Sequence, residues 1–325
     1  MLLIRGLLDI LKFDSRYMNF QNKFFIIQQE GSGRGLFSLL SSVLCYLDFA
    51  EKNSLMPVVD FENYKCIYNE ENEINGTKNS FEYYFEPVSP YSLKHVYNSQ
   101  NFLVSGSGYP EGYDYTIANI PGLFSVFSKY IRIRNEVSTK INNLTVGKFS
   151  SPVLGVHYRG KEMRTARGHW YPPSSKQMLY AIEKTLETFN YKSIFVSSED
   201  ESLIQIIYKA FPGLVFYNQN YYRSSGNAYK EYPRENHFYK LGLEVLTDMV
   251  YLSKCDSLIS CSSNVAWFAR FVNNNRYKSH IFINNGPNLK LHPLYKISWY
   301  VRSILPEYAF GFKTDGSTLQ ETIVN

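Results

Sequence analysis

Arg159 closes the apolar run VLGVHYR, residues 153–159, and a cation at the end of a buried strand is costly unless it meets an anion. A guanidinium offers a planar fork of donors that matches a diphosphate, and it keeps its charge at any working pH. When a sugar departs from a nucleoside diphosphate, negative charge builds on the β-phosphate, so a fixed cation there lowers the barrier without a metal ion. The structural alternative is a brace in which Arg159 pairs with Glu162 or Asp200. Ser262-Ser263-Asn264 can form a second anion site, because they open a helix whose first N–H groups and hydroxyls suit a phosphate. The same residue types also cap helices routinely.

Transfer to a hydroxyl requires a carboxylate or histidine to accept its proton. Glu162, Asp200, Glu231 and Asp248 are the acidic candidates, and Glu162 and Asp200 join Arg159 in the expected catalytic group. Asp248 sits inside the apolar helix LEVLTDMVYLSKC, either on a narrow solvent face or as a buried functional carboxylate. His157 is expected to brace its strand rather than act as a base. Gly31-Ser32-Gly33-Arg34-Gly35 follows the strand FFIIQ, yet it has neither the G-x-G-x-x-G spacing of a dinucleotide fingerprint nor the Gly-Lys-Ser/Thr of a phosphate loop. It permits close backbone approach. Gly33, Arg34 and Gly35 are therefore expected to reach a ligand's phosphates or sugar from a wall opposite Arg159.

These residues need elements to hold them. A strand at 24–28, the glycine turn, a helix from 36 to about 51 and a strand at 57–61 make a β-α-β unit near the start of the chain. Residues 62–150 are polar and aromatic, with a helix expected around 123–143, and 144–152 is the expected linker. Beyond it, strands at 153–159, 192–198, 214–218, 257–260 and 280–284 alternate with helices at 174–189, 200–210, 238–254 and 263–273. The expected class is α/β, with an acceptor-side domain over 1–150 and a doubly wound parallel sheet over 151–325. In such a sheet HYRGKEMR, SSED and SCSSN all fall at strand carboxyl ends, on one rim.

A length of 325 residues suits two domains. Lys+Arg 34 against Asp+Glu 29, a net charge of +5, suits a phosphate-bearing partner and argues against nucleic acid. The four cysteines show no metal-ligand spacing, so no metal site is expected, and they read as thiols of a reducing compartment. MLLIRGLLDILKF is too short and too charged to span a bilayer. Its Leu3, Leu7, Leu8, Ile10 and Leu11 fall at helical spacing, so the segment either packs on its domain or lies on a membrane surface. The expected location is the cytoplasm, with peripheral membrane contact as an option. The high aromatic content, 28 Tyr and 23 Phe, is read either as coding bias or as platforms for sugar rings.

In order and spacing, Gly155-Val156-His157-Tyr158-Arg159, then Phe195–Asp200, then Asp248–Asp256 running into Ser262-Ser263-Asn264 resemble the donor-binding motifs of the GDP-fucose-dependent fucosyltransferases. That superfamily holds the α-1,6, nodulation and protein O-fucosyltransferases, and Gly31–Gly35 is similar to its glycine-rich turn. The resemblance covers about residues 153–275 and a short stretch near residue 30. It implies a GT-B fold of two facing Rossmann-like domains, inversion at the sugar carbon, and no metal or other cofactor. GDP-fucose is the implied co-substrate and a glycan the implied acceptor, in the synthesis of a surface polysaccharide or glycoconjugate. By the same resemblance Arg159 binds the β-phosphate, His157 shapes the guanosine pocket, and Asp248, Ser262, Ser263 and Asn264 line the nucleotide site. The α-1,6 enzymes carry a second arginine where this chain has Gly160, with Lys161, Arg164 or Arg167 as replacements. Their acidic base has no clear counterpart in KEMRTARGHWYPP. Two other readings stay open: another nucleotide-sugar donor, or a non-catalytic protein that binds nucleotide sugars or glycans.

Overall fold

A computed structural model describes residues 23–113, 122–224, 227–288, 293–314 and 319–323. The amino-terminal segment with Leu3 to Leu11 lies outside them. The chain divides into two compact units, one reaching to Lys140 and including Tyr229–Leu243, the other formed by Ile141–Ala228 and everything from Glu244 onward.

The first unit is built on β1 (Phe24–Ile27), α1 (Leu36–Lys52), β2 (Met56–Val59), α2 (Leu93–Ser99), β3 (Phe102–Val104) and α3 (Leu123–Tyr130). Its three strands are parallel in the order β2-β1-β3. Every residue of β1 is buried, which is why FFII reads as an unbroken apolar run rather than an alternating one. The helix expected over 123–143 is two helices, α3 and α4 (Asn135–Thr145). Between them, Ile131-Arg132-Ile133-Arg134 alternates apolar and basic residues, a strand pattern. There Arg132 accepts the Glu86 N–H at 2.8 Å and Arg134 donates to the Tyr84 carbonyl at 2.9 Å.

The aromatic residues of the region after β2 are largely interior. Tyr68, Tyr83, Tyr84 and Phe85 are buried, and Tyr229 and Tyr239 pack on them from the returning segment. The Tyr84 and Tyr239 rings stack 5.6 Å apart, and Glu70 accepts the Tyr239 N–H at 2.8 Å and the Tyr232 hydroxyl at 2.9 Å. Gly242 is needed here, because a Cβ would come within 2.1 Å of the Tyr84 hydroxyl.

The second unit alternates β4 (Val153–Tyr158), α5 (Ser175–Thr188), β5 (Ser193–Ser198), α6 (Glu201–Ala210), β6 (Val215–Phe216), α7 (His237–Lys254), β7 (Ser257–Ser260), α8 (Asn264–Asn273), β8 (Ser279–Ile283), α9 (Leu294–Ile304) and β9 (Leu319–Ile323). The sheet order is β6-β5-β4-β7-β8-β9, with β9 alone antiparallel. The five expected strands are present, and α9 and β9 are additions. Ser174 and Gln177 close a capping box on α5, which fixes its start. One core joins Leu154, Val156, Ile194, Val196 and Ile259 of the sheet to Met178, Ile182 and Ile204 of its helices. All four cysteines are free thiols. Among the described residues no helix is long and apolar enough to cross a membrane.

Candidate active site

Strand order reverses at β4, whose neighbours are β5 on one side and β7 on the other. The carboxyl ends of β4 and β7 therefore open the crevice in which an open α/β sheet holds ligands. His157, one residue before the end of β4, is buried there, with Nδ1 3.1 Å from Ser197 Oγ and Nε2 2.8 Å from Ser263 Oγ. Ser263 caps α8 by accepting the Val265 N–H at 3.2 Å. Ser197 also bonds the Asp248 carboxylate, and Asp248 Oδ1 accepts from the Asn218 amide at 2.6 Å.

The supply of donors and acceptors orders this chain of bonds. With Asp248 ionised, Ser197 gives it its one proton and so accepts from His157 Nδ1–H. The bare Nε2 then accepts the Ser263 proton. Burial, helped by the Arg159 cation, pushes the His157 pKa down to about 3, so the ring is neutral and suited to fixing geometry. Burial pushes the Asp248 carboxyl up to about 7, against opposing bonds from Asn218 and Ser197 and the Arg223 cation. Asp248 is thus buried on α7 rather than carried on a solvent face.

Arg159 follows β4 directly and is half-buried. Among the described residues, its guanidinium makes no ion pair or side-chain hydrogen bond. Its backbone N–H meets the buried Cys261 thiol, whose pKa burial raises to about 11, so the sulfur is inert packing. Beside it, Ser262 and Asn264 are half-buried at the start of α8 and their side chains hold no hydrogen bond among the described residues. The first N–H groups of that helix lack intrahelical partners. A cation, a hydroxyl, an amide and a helix amino terminus are the groups that suit an anion.

Asp200 lies one strand away and serves the fold. It is fully buried and caps α6, with one oxygen accepting the Ser202 N–H at 3.1 Å and the Ser202 hydroxyl at 2.5 Å. The other oxygen pairs with Arg164 at 2.5 Å. The Arg164 guanidinium lies 4.6 Å over the Trp299 ring. Close packing against Asp200 also accounts for Gly160, where a Cβ would lie 2.7 Å from the Asp200 Cβ and 3.2 Å from the Tyr158 ring. No side chain fits at Gly160. Arg164, four residues on, turns toward Asp200, Arg167 is exposed, and the Lys161 side chain lies outside the described parts. Glu162 is exposed in the turn Lys161–Arg164, its carboxylate without a hydrogen bond among the described residues.

Four residues here had no role assigned from sequence. Ser197 belongs to the SSED motif already placed on the rim, and Asn218 ends an expected strand, so the strand-end rule that selected Arg159 extends to both. Glu199, which accepts the Gly160 N–H at 2.8 Å and feels the Arg159 charge, follows β5 by the same rule. Arg223 had no such signal; it donates to the Ser198 and Asn218 carbonyls at 3.3 and 3.0 Å and pairs with Glu201 at 3.4 Å.

In the first unit, Gly35 precedes α1 and the Tyr68 hydroxyl accepts the Leu36 N–H at 2.8 Å. Gly31 takes a φ of +65°, a left-handed turn that glycine makes without strain, and Gly33 is exposed. Arg34 donates to Ser32 Oγ at 3.0 Å, to Ser42 Oγ at 3.3 Å and to Gln29, and lies 5.3 Å from the Tyr109 ring centre.

No protein-family model and no curated protein matches the sequence. Solved structures do match. Se-Met fucosyltransferase NodZ from Bradyrhizobium aligns with a TM-score of 0.55 at 16% identity, covering 82% of this chain and 97% of that one. NodZ α-1,6-fucosyltransferase soaked with GDP-fucose aligns at 0.52 with 15% identity, covering 81% and 96%. The form co-crystallized with GDP gives 0.52 and 16%, with the same coverage. The fold is that of the GT-B fucosyltransferases. Within that fucosyltransferase fold, His157, Arg159, Asp248, Ser262, Ser263 and Asn264 fall in the second unit, and Gly33, Arg34 and Gly35 in the first.

Proposed function

We propose that the chain is an inverting glycosyltransferase that moves fucose from GDP-fucose to a glycan acceptor without a metal ion. The carrying observation is Arg159, a half-buried guanidinium that makes no ion pair or side-chain hydrogen bond among the described residues, beside the start of α8. In this reading the second unit holds the nucleotide sugar and the first receives the acceptor. The acceptor oxygen attacks the anomeric carbon as its bond to the β-phosphate breaks, and Arg159 with the α8 amino terminus takes up the charge that develops on the leaving GDP. The acceptor's proton passes to Glu162, whose carboxylate has no hydrogen bond among the described residues. Asp200 acts through Arg164 and the α6 cap as a positioning residue. The bond chain through His157 holds Ser263 in place. The NodZ structures with GDP and GDP-fucose support the choice of nucleotide.

Calorimetry with GDP and UDP, followed by a transfer assay with GDP-fucose in EDTA, tests the proposal. GDP is expected to bind in the micromolar range and EDTA to leave turnover unchanged. Preference for UDP would move the donor to another nucleotide sugar, and GDP binding without turnover would make the chain a binding protein. Strict dependence on added manganese would overturn the metal-free mechanism.

A further inference from the structure

A surface helix normally turns its apolar residues inward, and α9 does the reverse. Its inner side carries Ser298, whose hydroxyl lies 2.6 Å from that of Tyr171, and Arg302, stacked 5.2 Å from the Tyr171 ring and 4.4 Å from Phe312. Trp299 is its buried ring, donating to the Pro172 carbonyl at 2.8 Å. Outward lie Leu294, Ile297, Val301 and Ile304, between 45% and 79% exposed, at the spacing of one helical face.

The chain after α9 extends that surface. Phe312 N–H donates to the Arg302 carbonyl at 3.0 Å and Gly311 N–H to the Pro306 carbonyl at 3.0 Å, drawing the loop tight. Only glycine fits at Gly311, since a Cβ would lie 1.9 Å from the Leu305 carbonyl oxygen. This turn presents Tyr308 at 92% exposure and Phe310 at 87%. Phe310 holds a φ of +66°, a conformation strained for a bulky side chain and typical of functional positions.

We infer that the outer face of α9 and the turn after it dock on a lipid bilayer bearing anionic headgroups. Between residues 294 and 314 the cations are Lys296, Arg302 and Lys313, and the one acid is Glu307. Glu307 accepts from the Thr314 N–H at 2.5 Å and from its hydroxyl at 2.7 Å. Lys296, next to Ile297 on α9, and Lys313, after the turn, are exposed. An apolar stripe with tyrosine and phenylalanine at its end and exposed lysines in the same segment complements acyl chains beneath negative headgroups.

Sedimentation of the full chain with phosphatidylglycerol–phosphatidylcholine vesicles, against pure phosphatidylcholine vesicles, tests this inference. The chain is expected to pellet with the anionic vesicles and to be released as salt is raised. Ile304→Ser with Phe310→Ser, both on exposed residues, should weaken binding on the order of tenfold or more with the melting temperature unchanged. Lys296→Glu with Lys313→Glu should remove the preference for anionic lipid. The inference fails if the chain stays in the supernatant, if the serine variant pellets like the parent, or if sizing shows a concentration-dependent dimer that the serine variant abolishes. None of these measurements depends on donor, acceptor or turnover.

Discussion

At the glycine turn of the first unit, the Arg34 guanidinium is held by Gln29, Ser32 and Ser42 and lies over Tyr109. At the end of β4 in the second unit, Arg159 meets no acceptor side chain among the described residues. Both arginines adjoin glycines in the loop after a parallel strand; Arg159 was expected to face phosphate and Arg34 phosphate or sugar. The difference lies in what the fold supplies to each. Where neighbouring side chains satisfy the donors, the cation organises its own loop. Where they do not, the cation is left able to take an anion from outside, as the proposed function requires. Arg164 is a third case, a cation held by Asp200 and Trp299, while Glu199 is the internal carboxylate that feels the Arg159 charge.

That contrast can be broken experimentally. The largest effect is expected at Asp200→Ala, which removes a helix cap and leaves a mostly buried Arg164 without its carboxylate. Losing one partner of a buried pair costs about 3–5 kcal/mol, read as a lower urea midpoint. Asp200→Asn should retain the cap and recover part of that loss. If Asp200→Asn folds normally but transfer falls a thousandfold, the carboxylate serves catalysis directly rather than bracing the rim.

Next in size is Arg159→Ala, expected to slow transfer on the order of a hundredfold while the urea midpoint stays put. Arg34→Ala should show the opposite pattern, lower stability with smaller loss of GDP affinity. Equal stability losses in the two variants would erase the distinction between a committed and an uncommitted cation.

A smaller effect concerns Asp248. Its pKa of about 7 lies above the ordinary 3.8, so between those values the folded chain keeps a proton that the unfolded chain has released. Stability therefore falls as pH rises from about 4 to 7 and levels off above. Asp248→Asn removes the titration. Its stability relative to the parent should rise across that window by on the order of 4 kcal/mol, measured by urea unfolding at several pH values. A difference that is flat with pH would mean that Asp248 is not the group that titrates.

Much of the second unit was legible in the sequence because its strands are short apolar runs between amphipathic helices, and β4, β5 and β7 end in polar motifs that the topology must bring together. Asp248 could be placed on a helix but not on a face, since Leu246, Met249 and Val250 flank it with apolar residues on both sides. The aromatic region after β2 stayed unreadable for a different reason. Its tyrosines pack against Tyr229 and Tyr239, more than a hundred residues away in sequence, and no local period encodes such a contact. The strands that escaped notice were short or late: β3 has 3 residues, and β9 pairs antiparallel at the edge of a sheet whose other strands are parallel.

The tight fit at Gly160 also restricts which sequences lie within reach of this one. A second arginine at 160 would collide with Asp200, so Asp200 would have to shrink first. That change alone uncaps α6 and strands Arg164. Either order of substitution passes through a weakened protein, and a two-arginine version of this rim is separated from the present chain by a valley rather than by a single step.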